Sequence, residues 1–107
     1  MTKKTNNGKR RALPKSAIAT AVVMRLYIAS SAPNSMLAIA NLEAICKEHL
    51  SDQFTLEIVD VLESPERALA DGILVTPSLA KLSPSPIAKI IGNLNDRVSV
   101  LHALGIT

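Results

Sequence analysis

Three prolines fall within ten residues of one another in an apolar segment that otherwise has the pattern of a β-strand, DGILVTPSLAKLSPSP, from Asp71 to Pro86. Proline has no backbone N–H to donate to a sheet and fixes its own φ angle, so buried central strands avoid it. Pro77, Pro84 and Pro86 therefore require a fold that accommodates proline directly beside its strands.

The charge of the chain divides it into two parts. Residues 1–21 carry six basic and no acidic side chains, whereas residues 22–107 carry six basic and nine acidic ones. The first part has few large apolar side chains before Ile18 and is expected to be a flexible extension. Its charge alone would suit nucleic acid or an anionic lipid, but no base-reading motif or interleaved aromatic residue accompanies it. We therefore predict one small domain at residues 22–107 and no nucleic-acid binding.

The sequence does not favour export or membrane insertion. Arg25 interrupts the apolar run that follows the basic start, so a secretory signal is not predicted. No segment approaches the roughly 18 uninterrupted apolar residues of a membrane span. The single cysteine excludes a disulfide within the chain and agrees with a reducing cytoplasm.

Apolar patterning predicts a strand, a helix and a second strand in the first half of the domain. Residues 22–29 form an aliphatic run that is typical of an interior strand. The helical period of residues 36–50 indicates a helix, which Asn34 or Ser35 is expected to cap. Alternation of apolar and polar residues from Phe54 onward predicts the second strand.

The second half of the domain begins with a helix signal. Ser64-Pro65-Glu66 combines a capping serine, a proline in the first turn and an early acid, and Gly72 supplies a stop. Two strands and a last helix are predicted next: one strand from the strand-like residues 73–75 and 78–82 on either side of Thr76-Pro77, and another from residues 87–91. The helix opens at Asn95-Asp96 with Val98, Leu101 and Leu104 on one side.

The resulting order, β-α-β-α-β-β-α, is that of the thioredoxin fold. A strand, helix and strand at the start imply a right-handed parallel crossover. The last two strands can form an antiparallel hairpin. We therefore predict a three-layer α/β domain with a mixed four-stranded sheet. Folds of this kind commonly carry a cis proline immediately before the third strand, and Pro77 would supply it.

The groups that thiol–disulfide chemistry requires are missing. Where a Cys-x-x-Cys would begin the first helix, the chain has SSAPNS, from Ser30 to Ser35, which cannot form a thiolate. Cys46 lies on the apolar stripe of the helix and is interpreted as a small buried hydrophobe. His49 and His102 come near two helix ends without the further ligands of a zinc site. We predict neither enzymatic activity nor a metal or cofactor, since nucleophile-elbow and phosphate-loop motifs are also missing.

Two stretches, LYIASSAPNS and IVDVLESPERALADGILVTPSLAKLSPSPIAKIIGNL, resemble the KaiB family of bacterial circadian clock proteins. The resemblance runs from about residue 22 to residue 104. The proline cluster separates it from a sensor-kinase input domain of the same shape. Its most specific parts are Tyr27 with Pro33-Asn34-Ser35, Asp60-Val61-Leu62 with Pro65, Thr76-Pro77 with Leu79-Ala80-Lys81, Ser83 to Pro86, and Ile90-Ile91-Gly92.

The resemblance implies a regulator that changes its fold. In KaiB proteins a dimeric or tetrameric ground state packs the chain after about residue 64 differently from thioredoxin, and a rare thioredoxin-like monomer binds the KaiC ATPase ring. For this chain alone it implies the ground state, as a symmetric oligomer, with the three Xaa-Pro bonds as candidates for different isomers in the two folds. The residues that it assigns to the partner surface or the switch are Thr76, Pro77, Lys81, Pro84, Pro86, Lys89, Gly92 and Asn93.

The chain also departs from the family pattern. Basic residues that the family uses toward KaiC fall at Leu37 and Ala88 here, and Asn93 replaces an acid after the glycine turn. Two other interpretations therefore stay open: a thioredoxin-fold adaptor or stress-response module that never switches, and a relic of an enzyme in which Cys46 senses peroxide.

Overall fold

The computed structural model describes residues 21–51 and 53–106. The basic extension predicted for residues 1–21 therefore lies outside the described residues, apart from its last residue. The elements are β1 (Val22–Ile28), α1 (Pro33–Ile45), β2 (Phe54–Asp60), α2 (Pro65–Ala70), β3 (Ser78–Ser83), β4 (Ala88–Ile91) and α3 (Arg97–Leu104), and α1 continues into a wider π-helical segment, Cys46–Leu50.

The four strands form one mixed sheet in the order β2-β1-β3-β4. β1 pairs in parallel with β2, from Val22 opposite Phe54 to Ile28 opposite Asp60. β3 is antiparallel to β1 and to β4. The central position of β1 explains why its sequence is an almost uninterrupted aliphatic run, since both of its edges and both of its faces are covered. The predicted α/β class and the mixed four-stranded sheet are confirmed.

The two faces of the sheet carry unequal cores. One face packs under α1 and α3, where alternate residues of β1 (Met24, Leu26) meet Leu42 of α1 and Val100 of α3. The other face is covered by the six-residue helix α2 and holds a much smaller cluster. This smaller cluster consists of Tyr27, Val59, Ala68, Ile73 and Ala80.

The first helix begins earlier than its apolar period predicts. α1 starts at Pro33, so the prediction that Asn34 or Ser35 caps it is wrong. Ser35 is instead 1% exposed, and its hydroxyl oxygen accepts the backbone N–H of Ala29 at 3.0 Å. Met36, the first residue of the helical period, is 50% exposed. Proline suits the first helical turn because its missing N–H would have had no partner there.

Some predicted features of the second half differ as well. Residues 73–75 are not a strand, and β3 begins only after the Thr76–Pro77 bond. α2 starts at Pro65 as expected, but the Ser64 side chain makes no capping bond. Asp96 does cap α3, accepting from the Ser99 backbone N–H at 3.2 Å and its hydroxyl at 2.8 Å. Val98 does not lie on the buried side of α3, which Val100 and Leu104 occupy.

The arrangement of the second half is the thioredoxin-like one. The β-α-β-α-β-β-α order read from local pattern is observed, with a cis Thr76–Pro77 bond directly before β3 as predicted. Ser83–Pro84 and Ser85–Pro86 are also cis. The expectation that the chain alone adopts the family ground state is not met by this structure. The antiparallel pairing of β3 with β1 and with β4 places the residues after about 64 in the thioredoxin-like arrangement instead.

Candidate partner-binding site

One end of the sheet gathers three loops that the sequence separates widely. The loop between β1 and α1, the segment around Thr76 and Pro77, and the turn at Gly92 and Asn93 all lie there. The Gly92 backbone N–H donates to the Pro77 carbonyl at 2.9 Å, which fixes the turn after β4 to the segment before β3. Pro77 is buried and Thr76 half-buried. Four of the eight residues assigned by family resemblance thus come together at this end.

Side-chain amides hold the Gly92–Asn93 turn against α1. The Asn41 amide nitrogen donates to the Asn93 backbone carbonyl at 2.8 Å, and the Asn93 amide nitrogen donates to the Asn34 side-chain oxygen at 3.5 Å. The Asn93 side-chain oxygen also accepts the backbone N–H of Asn95 at 3.1 Å. Asn93 therefore acts as donor and acceptor at once, which an aspartate in its place could not do. Asn41 was not found from the sequence, because a single polar residue on a helix indicates only solvent exposure.

An aspartate anchors the loop that replaces the thioredoxin redox motif. Asp60, at the end of β2, accepts the Ser30 backbone N–H at 3.1 Å, the Ser30 hydroxyl at 2.9 Å and the Leu62 backbone N–H at 3.0 Å. Partial desolvation raises the pKa of the Asp60 carboxyl, but the bonds from Leu62 and Ser30 outweigh it, and its pKa is lowered. Ser30 itself sits at a φ of 47°. Asp60 therefore fixes the shape of the loop, which has no thiol.

Gly92 is a position where this site depends on glycine. Its φ is +119°, outside the left-handed region that other residues occupy, although a Cβ there would meet nothing within 4 Å. We expect Gly92→Ala to lower the free energy of unfolding by about 1–3 kcal/mol through backbone strain alone. Gly72→Ala is the matched control, since its φ of +72° is nearer the left-handed region and its surroundings are equally open. Urea denaturation measures both; a Gly92 variant no less stable than the Gly72 variant would contradict the prediction.

The other residues assigned by resemblance lie elsewhere. Lys81 is only 3% exposed and points into the main core, with its Nζ 3.7 Å from where a Cβ on Gly105 would lie. Lys89 is exposed on β4, directly opposite Ala80. Pro84 and Pro86 are exposed in the connection between β3 and β4, which follows the far end of β3 from Pro77. The assigned residues thus form a cluster at one end of the sheet, a separate proline turn, an exposed lysine and a buried one.

The other side chains considered for catalysis or metal binding are poorly suited to either role. Cys46 is 2% exposed, and burial, reinforced by Glu43, raises the pKa of its thiol to about 11, so it is a poor thiolate at neutral pH. Among residues 21–51 and 53–106 no group of three or more His, Cys, Asp or Glu side chains could hold a metal ion. Within the same residues, no helix has both the length and the apolar character needed to cross a bilayer.

Comparison with solved structures defines the fold class. The N-terminal domain of SasA from Synechococcus elongatus superposes with a TM-score of 0.67 and 19% identity, over 96% of this chain and 96% of that one. Mitochondrial thioredoxin 3 from Saccharomyces cerevisiae superposes with a TM-score of 0.65 and 15% identity, over 84% of this chain and 83% of the other. The protein is thus a thioredoxin-like α/β domain that lacks the redox motif.

Sequence comparison then gives the family. The KaiB domain model matches residues 25–106. The circadian clock protein KaiB3 of a Synechocystis species is 47% identical over 85 residues, which cover 79% of this chain and 83% of the relative. The circadian clock oscillator protein KaiB of Microcystis aeruginosa is 45% identical over 82 residues, covering 77% and 79%. The chain belongs to the KaiB family.

Proposed function

We propose that this protein is a non-enzymatic regulator that binds a KaiC-type ATPase through the thioredoxin-like arrangement described above. One observation carries the proposal: a chain 47% identical to a KaiB3 clock protein has a fold that matches the SasA N-terminal domain over 96% of both chains. Its redox-motif position holds serines anchored by hydrogen bonds, which supports binding rather than catalysis.

We propose also that the chain exchanges with a second packing of the residues after about 64. Support comes from large apolar side chains between residues 62 and 91 that the present arrangement leaves in solvent. A second packing that self-associates as a dimer or tetramer would cover them. These side chains are Leu62 (67% exposed), Leu69 (77%), Leu74 (91%), Ile87 (74%) and Ile91 (63%).

The surface proposed for the ATPase combines the loop cluster with its charged neighbour on β4. Gly92 and Asn93 are held rigidly by Pro77 and Asn41, so the backbone of the turn is ordered before a partner arrives. Lys89 is exposed and has no ion pair with any residue of the described ranges. Leu37 is 50% exposed on α1 and gives the surface an apolar element where other family members have a basic one.

Size-exclusion chromatography of the full chain with the KaiC-type ATPase of the same organism tests the proposal. Samples taken from minutes to a day after mixing with nucleotide are expected to show a complex that accumulates slowly, because molecules in the second packing must first convert to the thioredoxin-like one. A complex that forms at once would support a thioredoxin-fold adaptor that does not switch. The absence of a complex at every time would contradict the proposed partner.

A charge reversal tests the proposed surface. Lys89→Glu is expected to lower the association rate with the ATPase roughly tenfold, since exposed charges at a binding site act mainly on encounter. Lys47→Glu is the matched control: Lys47 is also exposed and without an ion pair among the described residues, but lies in the π-helical segment that follows α1. Equal slowing by both variants would indicate a general effect of net charge and would remove Lys89 from the site.

A further inference from the structure

A connected set of charged and polar side chains fastens α2 to the sheet. Glu57 of β2 lies between two arginines: Arg67 of α2 donates to its two oxygens at 2.6 and 3.0 Å, and Arg25 of β1 donates to it at 2.9 Å. The contact with Arg67 is bidentate, the strongest geometry of an arginine–carboxylate pair. The Glu57 carboxylate therefore links β1, β2 and α2.

A second carboxylate fastens the C-terminal end of α2 to the sheet. Asp71, the residue after the helix, accepts the Tyr27 hydroxyl at 2.6 Å and Arg25 at 3.3 Å. Arg25 also donates to the Tyr27 oxygen at 3.4 Å. Because Tyr27 is 2% exposed near the C-terminal end of β1, its hydroxyl gives Asp71 a fixed attachment point. The middle of α2, at Arg67, and the residue after the helix, Asp71, are thus held by polar contacts.

Few apolar contacts attach α2 to the sheet. The helix has six residues and buries one of them, Ala68, while Ile73 packs beside it from the following segment. Isolated helices of this length are unstable in water, so α2 depends on what attaches it to the sheet. Leu69 of the same helix is 77% exposed and contributes little to that attachment.

We propose that Arg25, Tyr27, Glu57, Arg67 and Asp71 form a clamp that holds α2 on the sheet and so sets how often the chain leaves the thioredoxin-like arrangement. Three of the five residues precede residue 64 and two follow it, so the clamp closes only when the rearranging segment lies on this face. The link to ATPase binding rests on the proposed function; the clamp itself does not.

The charges of the clamp make it sensitive to acid and to salt. The bidentate bond from Arg67 and the bond from Arg25 hold the pKa of Glu57 at about 2, below its usual 4.5, against a smaller effect of burial. A lowered carboxyl pKa means that the stabilisation is complete above about pH 4.5 and is lost as the pH falls toward about 2. The other charged groups near this face are Asp71, Glu66 of α2, and Lys89 on the same side of β4.

Native-state amide hydrogen exchange of the full chain tests the clamp without any partner. The Ile73 amide, which donates to the Ala68 carbonyl at 2.9 Å, reports the attachment of α2. Glu57→Gln and Arg67→Gln are each expected to raise its exchange rate roughly fivefold, and the double variant to do little more than either alone. Raising NaCl from about 50 mM to about 1 M should speed exchange in the parent and less in the variants.

The matched control is a second arginine–glutamate pair on the other face. Arg97 of α3 contacts Glu48 of the π-helical segment, and both side chains are about as exposed as those of Arg67 and Glu57. Glu48→Gln should leave Ile73 exchange unchanged. Equal exchange in the parent and clamp variants, or equal acceleration by Glu48→Gln, would overturn the clamp. Because no ATPase is present, this outcome is independent of whether the proposed function holds.

Discussion

Replacing Tyr27 by alanine is expected to lower the free energy of unfolding by about 3–5 kcal/mol, the usual cost of removing a large buried aromatic ring. Tyr27 is 2% exposed and belongs to the five-residue cluster that packs beneath α2. So small a cluster has no other aromatic ring to compensate for the cavity. Guanidinium denaturation followed by far-ultraviolet circular dichroism measures the change.

Tyr27→Phe separates the ring from the hydroxyl. The substitution keeps the ring packing and removes the hydrogen bond that the Tyr27 hydroxyl donates to Asp71 at 2.6 Å. We therefore expect the free energy of unfolding to fall by about 1 kcal/mol. The phenylalanine variant should therefore retain most of the stability that the alanine variant loses. An equal loss of stability in the two variants would contradict a packing role for the ring in the cluster beneath α2.

Replacing Lys81 by methionine is expected to raise the free energy of unfolding by about 1–3 kcal/mol, because the desolvation of a buried ammonium costs several kcal/mol when no partner compensates it. Lys81 is 3% exposed and makes no hydrogen bond or ion pair with any residue in the ranges that the structure describes. Its Nζ lies close to Gly105 at the C-terminal end of α3, where the helix dipole returns at most about 2 kcal/mol. The desolvation cost exceeds that gain.

Lys89→Met is the control for the loss of a lysine from the same hairpin. Lys89 is exposed, so its replacement should change the stability by less than about 0.5 kcal/mol. If exchange between two packings limits binding, Lys81→Met should also speed complex formation, since it favours the thioredoxin-like packing. A Lys81→Met protein that is less stable than the parent would show that the ammonium has a stabilising role here.

Local sequence signals were sufficient for the order of the elements and for the redox-inactive loop. The aliphatic run of β1, Pro65 at the start of α2 and Asp96 at the cap of α3 each act within a few residues, and each was placed correctly. Pro77 was also correctly expected to be cis before β3. Where two local signals competed, as at Pro33 and Ser35, the steric preference of proline for the first turn decided the start of the helix.

Long-range placements could not be predicted in the same way. Glu57 and Arg67 are ordinary surface residues in sequence, and only the packing of α2 across β2 brings them together. Lys81 follows the alternation of β3, which puts it on the same face as Leu79 and therefore under α3, whatever its charge. Its assignment to a partner surface came from family resemblance, and in the present arrangement burial leaves it little direct access to a partner.

The choice between the observed packing and the proposed second one is a further property that local pattern does not contain. The residues after about 64 are compatible with the thioredoxin-like arrangement that is observed, and the family resemblance favoured another for the chain alone. When two packings are separated by only a few kcal/mol, their difference in free energy is smaller than the total contact energy of either one. Local sequence signals do not resolve so small a difference. The proposed clamp around Glu57 would favour the thioredoxin-like arrangement, and the predicted cost of burying Lys81 would oppose it.

A disulfide that closes only in the thioredoxin-like arrangement tests most directly whether this arrangement binds the KaiC-type ATPase. Val23 and Ser83 lie opposite each other where β1 pairs with β3, and both are half-buried. The register of β1 and β3 shifts between Val23 and Met24, so this pair lies beside a β-bulge and not in the regular ladder, and the disulfide must first be shown to form. In the Val23→Cys, Ser83→Cys protein, the oxidised form is expected to bind the ATPase quickly and the reduced form slowly. An oxidised form that fails to bind, or that binds as slowly as the reduced one, would contradict the proposal.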